Sequence, residues 1–497
     1  MHTRSAISIN QRLWLLLFAM SSAAIVYIPT TRFGAGLSPD SVGYIAAARN
    51  ILTGQGFTAF DGSPFISQPP LYPALLAVVG KLTGADPVLF ANVLNAFLMG
   101  VIVFLSGSLA LSQLRLRPIY VFTGLVAVSL SAPLISISMM AWSEPLFICF
   151  GMMSLILAHS YRENNTWQSL ILFSLSTACS MLTRYSGVAF LLWGSLLIYL
   201  THAKSLKARI KDILVFIIIS GLPLAIWLIR NYIVSNTFFG PRSPSTFPLW
   251  KNLGYTIRTL SMWFSSLLKV YCIGAGLLAI LCIKNKWRFL NAVVNRFTPI
   301  ASFILIYLLF IIISSSITSY DPIGDRLLSP LYVPIILLLL LLAEAFVETY
   351  ANRLPKHVLF AFLFCGLLIW QARHIPHVIE YAANQYQNGI ELDGREWKAS
   401  QTLQFLSAHR TDTYGFECYS NFSGAVYYLA DIKAKSTKNK SHNKLQFLES
   451  LSSERPALLI WFNKIQSHPS IEEIQAGANT TLIAGFNDGA IYRVTRK

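Results

Sequence analysis

Charge is scarce in this sequence. Asp, Glu, Lys and Arg make up 12% of its 497 residues, where a soluble domain carries about 25%. Hydrophobic residues make up 54%. Together these values exclude an ordinary soluble globular protein and make lipid the main solvent. Acids are scarcer than bases, 22 against 39, and the net charge is +17. The six cysteines are too few and too scattered for a disulfide framework. Cys149, Cys179, Cys272, Cys282 and Cys365 lie in apolar segments and behave as small hydrophobes, while Cys418 stands alone in a polar tail. No Cys/His cluster has zinc spacing. No glycine-rich phosphate loop follows a strand pattern, which argues against a nucleotide site. There is no internal repeat. Residues 12–29 are followed by no convincing small-residue cleavage site, so they read as a retained helix and not a signal peptide.

Long apolar runs are what the chain has in quantity. A bilayer span needs about 20 mostly apolar residues. The pattern predicts about eleven spans, near 12–29, 88–111, 118–138, 144–160, 167–183, 187–201, 213–230, 268–283, 298–315, 327–343 and 357–370. The basic residues cluster in alternate loops: Arg115 and Arg117, then Lys204, Lys207, Arg209 and Lys211, then Lys284, Lys286, Arg288 and Arg296, then Arg353 and Lys356. That is the positive-inside pattern. It accounts for the excess charge, and no nucleic-acid partner is expected. With Arg4 and Arg12 at its start, the N-terminus is expected in the cytoplasm, and an odd span count puts the C-terminus outside an inner cell membrane. The expected fold is an all-α polytopic bundle over 1–370, with a small extracytoplasmic α/β domain over 371–497. Helices near 394–409 and 421–430 and strands near 413–418, 456–462, 479–485 and 489–494 make up that domain.

Three outer loops follow from this topology. The first, about 30–87, opens on Ser38-Pro39-Asp40-Ser41. Ser38 can cap a helix, Pro39 suits its first position and Gly54 can end it. Val42, Ile45, Ala46 and Leu52 share a face, as in an amphipathic interfacial helix. The second, about 231–267, has an interfacial helix near 252–266, and the third spans 319–326.

The candidate site residues lie on this outer side. Asp40 could take a proton from an attacking hydroxyl, or serve only the dipole of its helix. Glu144 opens the fourth span before Pro145 and has a dipole reading beside a functional one. Arg184 sits in a tight outer turn, where it could grip a phosphate or snorkel to headgroups. Arg326 could bind phosphate or pair with a carboxylate such as Asp325. Arg49, Arg242, Lys251 and Arg258 could widen a basic mouth. The set suits an anionic lipid substrate at the outer surface. Transporters place polar residues at mid-membrane depth and often carry repeated halves. Neither feature is seen, which favours an enzyme over a flippase. A ligase or polymerase of lipid-linked glycans tends to place its largest outer loop late. A receptor or scaffold leaves the acid and arginines unexplained.

The segment from Ser38-Pro39-Asp40-Ser41 through Tyr44 and Ala46-Ala47-Ala48 to Arg49-Asn50 resembles the signature of the GT-C glycosyltransferases. The likeness is to the bacterial branch similar to protein O-mannosyltransferases and the aminoarabinose transferase of lipid A. Gln68-Pro69-Pro70-Leu71-Tyr72-Pro73 resembles its proline-rich continuation. Leu182-Thr183-Arg184 and Asp325-Arg326-Leu327-Leu328-Ser329-Pro330 resemble its later arginine motifs. Tyr419-Ser420-Asn421 and Val426-Tyr427-Tyr428 resemble the tail of some relatives. The likeness covers about residues 10–350, and Asp40-Ser41 stands where relatives often have Asp-Glu. It implies transfer of a sugar from a polyprenyl-phosphate donor to a glycan, lipid or protein hydroxyl, with inversion. In that scheme Asp40 is the base, Arg184 and Arg326 bind the phosphate, and Glu144 orients an arginine or the sugar. Tyr44, Arg49 and Asp325 are supporting residues. Some GT-C enzymes use a divalent metal; this sequence shows no closed ligand set, and no cofactor is assigned.

Overall fold

The computed structural model describes residues 8–114, 118–201, 204–264, 286–350, 356–437, 446–466 and 469–497. Helix α1 (Ile9–Thr30) crosses toward the first loop, which holds α2 (Pro39–Leu52) and α3 (Leu71–Thr83). Then come α4 (Pro87–Gln113), α5 (Pro118–Ser129), α6 (Ala132–Met139), α7 (Glu144–Asn164) and α8 (Trp167–Thr183). They are followed by α9 (Val188–Tyr199), α10 (Leu206–Ser235), a helix over 249–264 (α11) and α12 (Lys286–Ile317). Two short turns, α13 (Asp325–Leu328) and Ser329–Leu331, lead into α14 (Tyr332–Tyr350) and α15 (Lys356–Asn388).

Among the described residues six segments are long and apolar enough to cross a bilayer: α1, α4, α7, α10, Thr298–Ile317 and Asp325–Ala345. The pair α5 and α6 makes a seventh if its 48° bend is one broken span. The break has a local cause: the Ser131 hydroxyl caps α6 by accepting from the Leu134 amide at 3.3 Å, and Pro133 follows. The expected spans at 167–183 and 187–201 are helices of 17 and 12 residues. The expected span 268–283 lies outside the described residues. The one at 357–370 falls within α15, which runs on past residue 370 to Asn388. Small residues let the spans approach closely: a Cβ on Gly100 in α4 would lie 2.9 Å from the Ala19 carbonyl oxygen in α1.

The first loop corrects one expectation. Helix α2 forms with Ser38 as cap and Pro39 in its first turn, and Gly54 leaves it at a φ of +79°. Yet Val42, Tyr44, Ile45, Ala46, Ala47 and Ala48 are all buried, so α2 is packed on several sides and does not float on the interface. Its small side chains allow neighbours to close over it, which periodicity cannot register. By contrast, α11 keeps Trp250, Leu253, Ile257 and Met262 exposed on one side and turns Asn252, Thr256 and Trp263 inward, as an interfacial helix does.

After α15 come α16 (Arg395–Lys398), α17 (Gln401–Ala408), α18 (Ser423–Ala430), α19 (Gln446–Glu449) and α20 (Ile471–Gly477). They surround five strands: β1 (Cys418–Ser420), β2 (Ala434–Ser436), β3 (Ala457–Phe462), β4 (Ala478–Gly485) and β5 (Gly489–Arg496), in the order β2-β1-β3-β5-β4. Strand β1 is parallel to β2 and β3, and β5 is antiparallel to β3 and β4. Central β3 is buried throughout, and its alternation splits it between two cores. Leu459 and Trp461 join Phe447, Ile474 and Val494, while Leu458, Ile460 and Phe462 belong to the core shared with α2 and the helical bundle.

Candidate active site

Four segments far apart in sequence bring charge to one place. Asp40 stands in the first turn of α2, Glu144 in the first turn of α7, and Arg326 in α13. Arg184 leaves α8 in an extended conformation and enters a tight turn that needs Gly187, where a Cβ would lie 2.6 Å from the Met181 backbone. Glu144 is fully buried. One oxygen, Oε1, accepts from both Arg184 Nη1 and Arg326 Nε. Its Oε2 is buried without a hydrogen-bond partner. The other edge of Arg326 reaches Asp40: Nη2 donates to Oδ2 at 2.7 Å. The Arg326 guanidinium also lies 4.1 Å from the Trp142 ring centroid, a cation–π contact. Arg184 Nη1 further donates to the Ser143 hydroxyl at 3.3 Å, and that hydroxyl lies 3.0 Å from the Tyr44 hydroxyl. Burial, reinforced by the nearby Asp40 charge, pushes the Tyr44 phenol above its ordinary range, so it stays protonated.

Asp40 is about one third exposed. Its Oδ1 faces the Gln68 amide at 3.4 Å. Asp40, Gln68, Arg184, Arg242 and Arg326 all line one cavity of about 400 Å³, walled by Phe310, Ile311 and the 319–327 segment. Arg242 donates through Nη2 to the Ser67 carbonyl at 2.9 Å. Arg230 fixes the floor of the first loop by donating to the Phe57 and Phe65 carbonyls at 2.8 and 2.9 Å.

Two supporting residues are engaged by other partners. Asp325 lines the cavity but does not pair with Arg326; it accepts from Trp263 Nε1 at 2.7 Å. Successive helical residues face different ways, so sequence neighbours need not be partners. Arg49 is absent from the cavity lining, because its Nε is held by Asp86 Oδ2 at 2.8 Å. Lys251 lies over the Phe247 ring. Sequence reasoning missed Ser143, Trp142 and Tyr185 as lining or supporting groups. Their signal was adjacency to Glu144 and Arg184. Among the described residues no three His, Cys, Asp or Glu side chains gather to hold a metal ion. The acids Asp40 and Glu144 face guanidinium groups instead.

No protein-family model matches the sequence, and no curated protein matches it. Solved structures do match. ArnT from Cupriavidus metallidurans bound to undecaprenyl phosphate aligns over 97% of this chain and 98% of its own, with a TM-score of 0.58 and 14% identity. The oligosaccharyltransferase of Archaeoglobus fulgidus, in complex with Zn and sulfate, aligns over 96% of this chain and 72% of its own, with a TM-score of 0.56 and 11% identity. The arabinofuranosyltransferase AftD from Mycobacteria covers 99% of this chain and 42% of its own, with a TM-score of 0.55 and 12% identity. The chain has the GT-C fold. At these identities the likeness speaks for the fold, and the reaction must be argued from the site. Within the GT-C fold the four charged residues sit at the start of α2, at the start of α7, at the end of α8 and in α13.

Proposed function

We propose that this chain is a membrane glycosyltransferase that moves a sugar from a polyprenyl-phosphate donor to an acceptor hydroxyl on the extracytoplasmic face. The observation that carries this reading is the meeting of Asp40, Arg184 and Arg326 at one cavity, with buried Glu144 holding the two arginines from behind. In this mechanism the acceptor oxygen attacks the anomeric carbon. The bond from that carbon to the phosphate oxygen breaks, and the phosphate keeps the electron pair. Asp40 takes the hydroxyl proton on Oδ1, the oxygen that Arg326 leaves free. Attack from the side opposite the phosphate inverts the anomeric configuration. Arg184 and Arg326 stabilise the charge that grows on the phosphate, as preorganised donors do in an oxyanion hole. Glu144 holds both guanidinium groups ready, and Tyr44 steadies Ser143 beneath Arg184. The apolar wall of Phe310 and Ile311 suits a lipid tail beside the phosphate. That ArnT was crystallised with undecaprenyl phosphate supports a lipid-phosphate donor. The acceptor is a glycan, lipid or protein hydroxyl, and the unit over 371–497 lies outside the membrane.

The test is a profile of envelope glycans and lipid-linked sugars in cells with and without the protein. Cells lacking it are expected to lose one glycan substituent and accumulate the matching polyprenyl-phosphate sugar. Unchanged pools of both would end the proposal. A reporter fused to the C-terminus is expected to signal from outside the cytoplasm. A cytoplasmic signal would reverse the assigned topology.

A further inference from the structure

The C-terminal α/β unit touches the loop that carries Asp40 at two separate places. The first is a narrow ribbon of three segments joined by isolated β-bridges. Gly36 donates to the Met139 carbonyl and accepts from the Ala141 amide, both at 2.9 Å. On its other side, Leu37 bridges Glu391, and its carbonyl accepts from the Leu392 amide at 3.2 Å. Gly36 is pressed between the outer strands: a Cβ there would lie 2.4 Å from Met140 Sδ and 2.7 Å from Ile390 Cβ. One strand of the ribbon runs into Ser38-Pro39-Asp40 and the next into Trp142-Ser143-Glu144. The two are tied again by Trp142 Nε1, which donates to the Ser38 hydroxyl at 2.7 Å. The ribbon therefore sets the spacing of the two carboxylates that share Arg326.

The second place is the far end of α2. Helix α18 reaches it by running along α2, laying Gly424 against Val42 near the start of that helix. Tyr427 stacks on Phe60 of the first loop, with ring centroids 5.2 Å apart and planes within 23°. The Arg49 guanidinium lies 5.9 Å from the Tyr427 ring and 6.0 Å from the Tyr428 ring while Asp86 holds its Nε. Arg49 is nine residues beyond Asp40, about 13 Å along a helix that rises 1.5 Å per residue. A clamp at that end fixes the direction of the whole helix, and so the place of Asp40 at its start.

We propose that the C-terminal unit is a positioning element for Asp40, and that Tyr427 is the residue through which it holds the far end of α2. This rests on the transferase reading above. A misplacement of about 1 Å at a catalytic group can cost about 10²-fold in rate. In that reading lipid-phosphate affinity rests on Arg184 and Arg326, which stand on other elements.

The test uses the full chain with Tyr427→Ala and Tyr427→Phe. Two quantities are read: the initial rate of glycan formation after induction in cells lacking the protein, and the Kd for undecaprenyl phosphate in nanodiscs. Tyr427→Ala is expected to cut the rate at least tenfold and leave Kd within about threefold. Tyr427→Phe keeps the stack on Phe60 and is expected to stay within about threefold in both. A wild-type rate in Tyr427→Ala would overturn the proposal, as would a parallel loss of rate and affinity in both variants. Should Tyr427→Ala fail to give a monodisperse particle, Phe60→Ala removes the same stack from the loop side and carries the same expectations. Asp40→Asn in the same cells separates the two ideas: a wild-type rate there would remove Asp40 from the mechanism and the positioning proposal with it, whereas a lost rate there beside a wild-type rate in Tyr427→Ala would overturn the positioning proposal alone.

Discussion

Asp40→Asn is expected to leave the protein in the membrane at its normal level and to lower glycan formation at least a hundredfold. Asparagine has nearly the shape of aspartate, and its side-chain oxygen can still accept from Arg326 Nη2. Asp40 is one of the more exposed members of the site, so folding loses little beyond a first-turn dipole contribution of about 0.3–1 kcal/mol. The lost property is basicity. A positioned general base contributes typically about 10²–10⁴-fold. Complementation of cells lacking the protein, with membrane levels followed by immunoblot, reads both quantities. Full rescue by Asp40→Asn would remove Asp40 from the mechanism.

Glu144→Gln is expected to lose both activity and stability. Glu144 is the one buried carboxylate that both Arg184 and Arg326 engage. Its side chain is 1% exposed, and those of the arginines are 15% and 23% exposed. Removing one partner from a buried charge network costs about 3–5 kcal/mol, because the remaining charges stay desolvated and unpaired. The thermal unfolding midpoint of the purified variant should fall by several degrees, and undecaprenyl phosphate affinity should fall with it as the arginines lose their fixed orientation. The double variant Glu144→Gln/Arg326→Gln removes one of the stranded charges. It should regain part of the midpoint without regaining activity. Wild-type stability in Glu144→Gln would show that the arginines need no common anchor.

Much of this was legible in the sequence, for stated physical reasons. Lipid forces long apolar runs and expels charge from them, so α1, α4, α7 and α10 announce themselves, and the charged residues that matter stand at span ends. Ser38 and Pro39 mark the start of α2 by capping chemistry alone. Strands β3, β4 and β5 follow from short apolar runs between turn residues. The rest depended on partners distant in the chain. A hydropathy average does not see the bend between α5 and α6. The burial of Ala46, Ala47 and Ala48 arises from the elements that close over them. Strand β2 has three residues and α20 seven, too short for a periodic signal. Asp40, Glu144, Arg184 and Arg326 were each visible as charges beside apolar runs, but the sequence could not show that Glu144 sits between the two arginines. Arg49 read as part of a basic mouth because neither Asp86 nor Tyr427, which occupy it, is near in sequence. Asp325 read as a partner of Arg326, yet its carboxylate is taken by Trp263 from α11.

The most direct measurement follows the donor itself. The purified chain in nanodiscs is given the polyprenyl-phosphate sugar expected to accumulate in cells lacking the protein, together with an acceptor fraction from the same cells. Mass spectrometry counts the polyprenyl phosphate released, and NMR reads the anomeric configuration of the new bond. The account predicts one polyprenyl phosphate released for each glycosidic bond formed, with configuration inverted. A donor that crosses the bilayer intact, or a bond formed with retention, would contradict it.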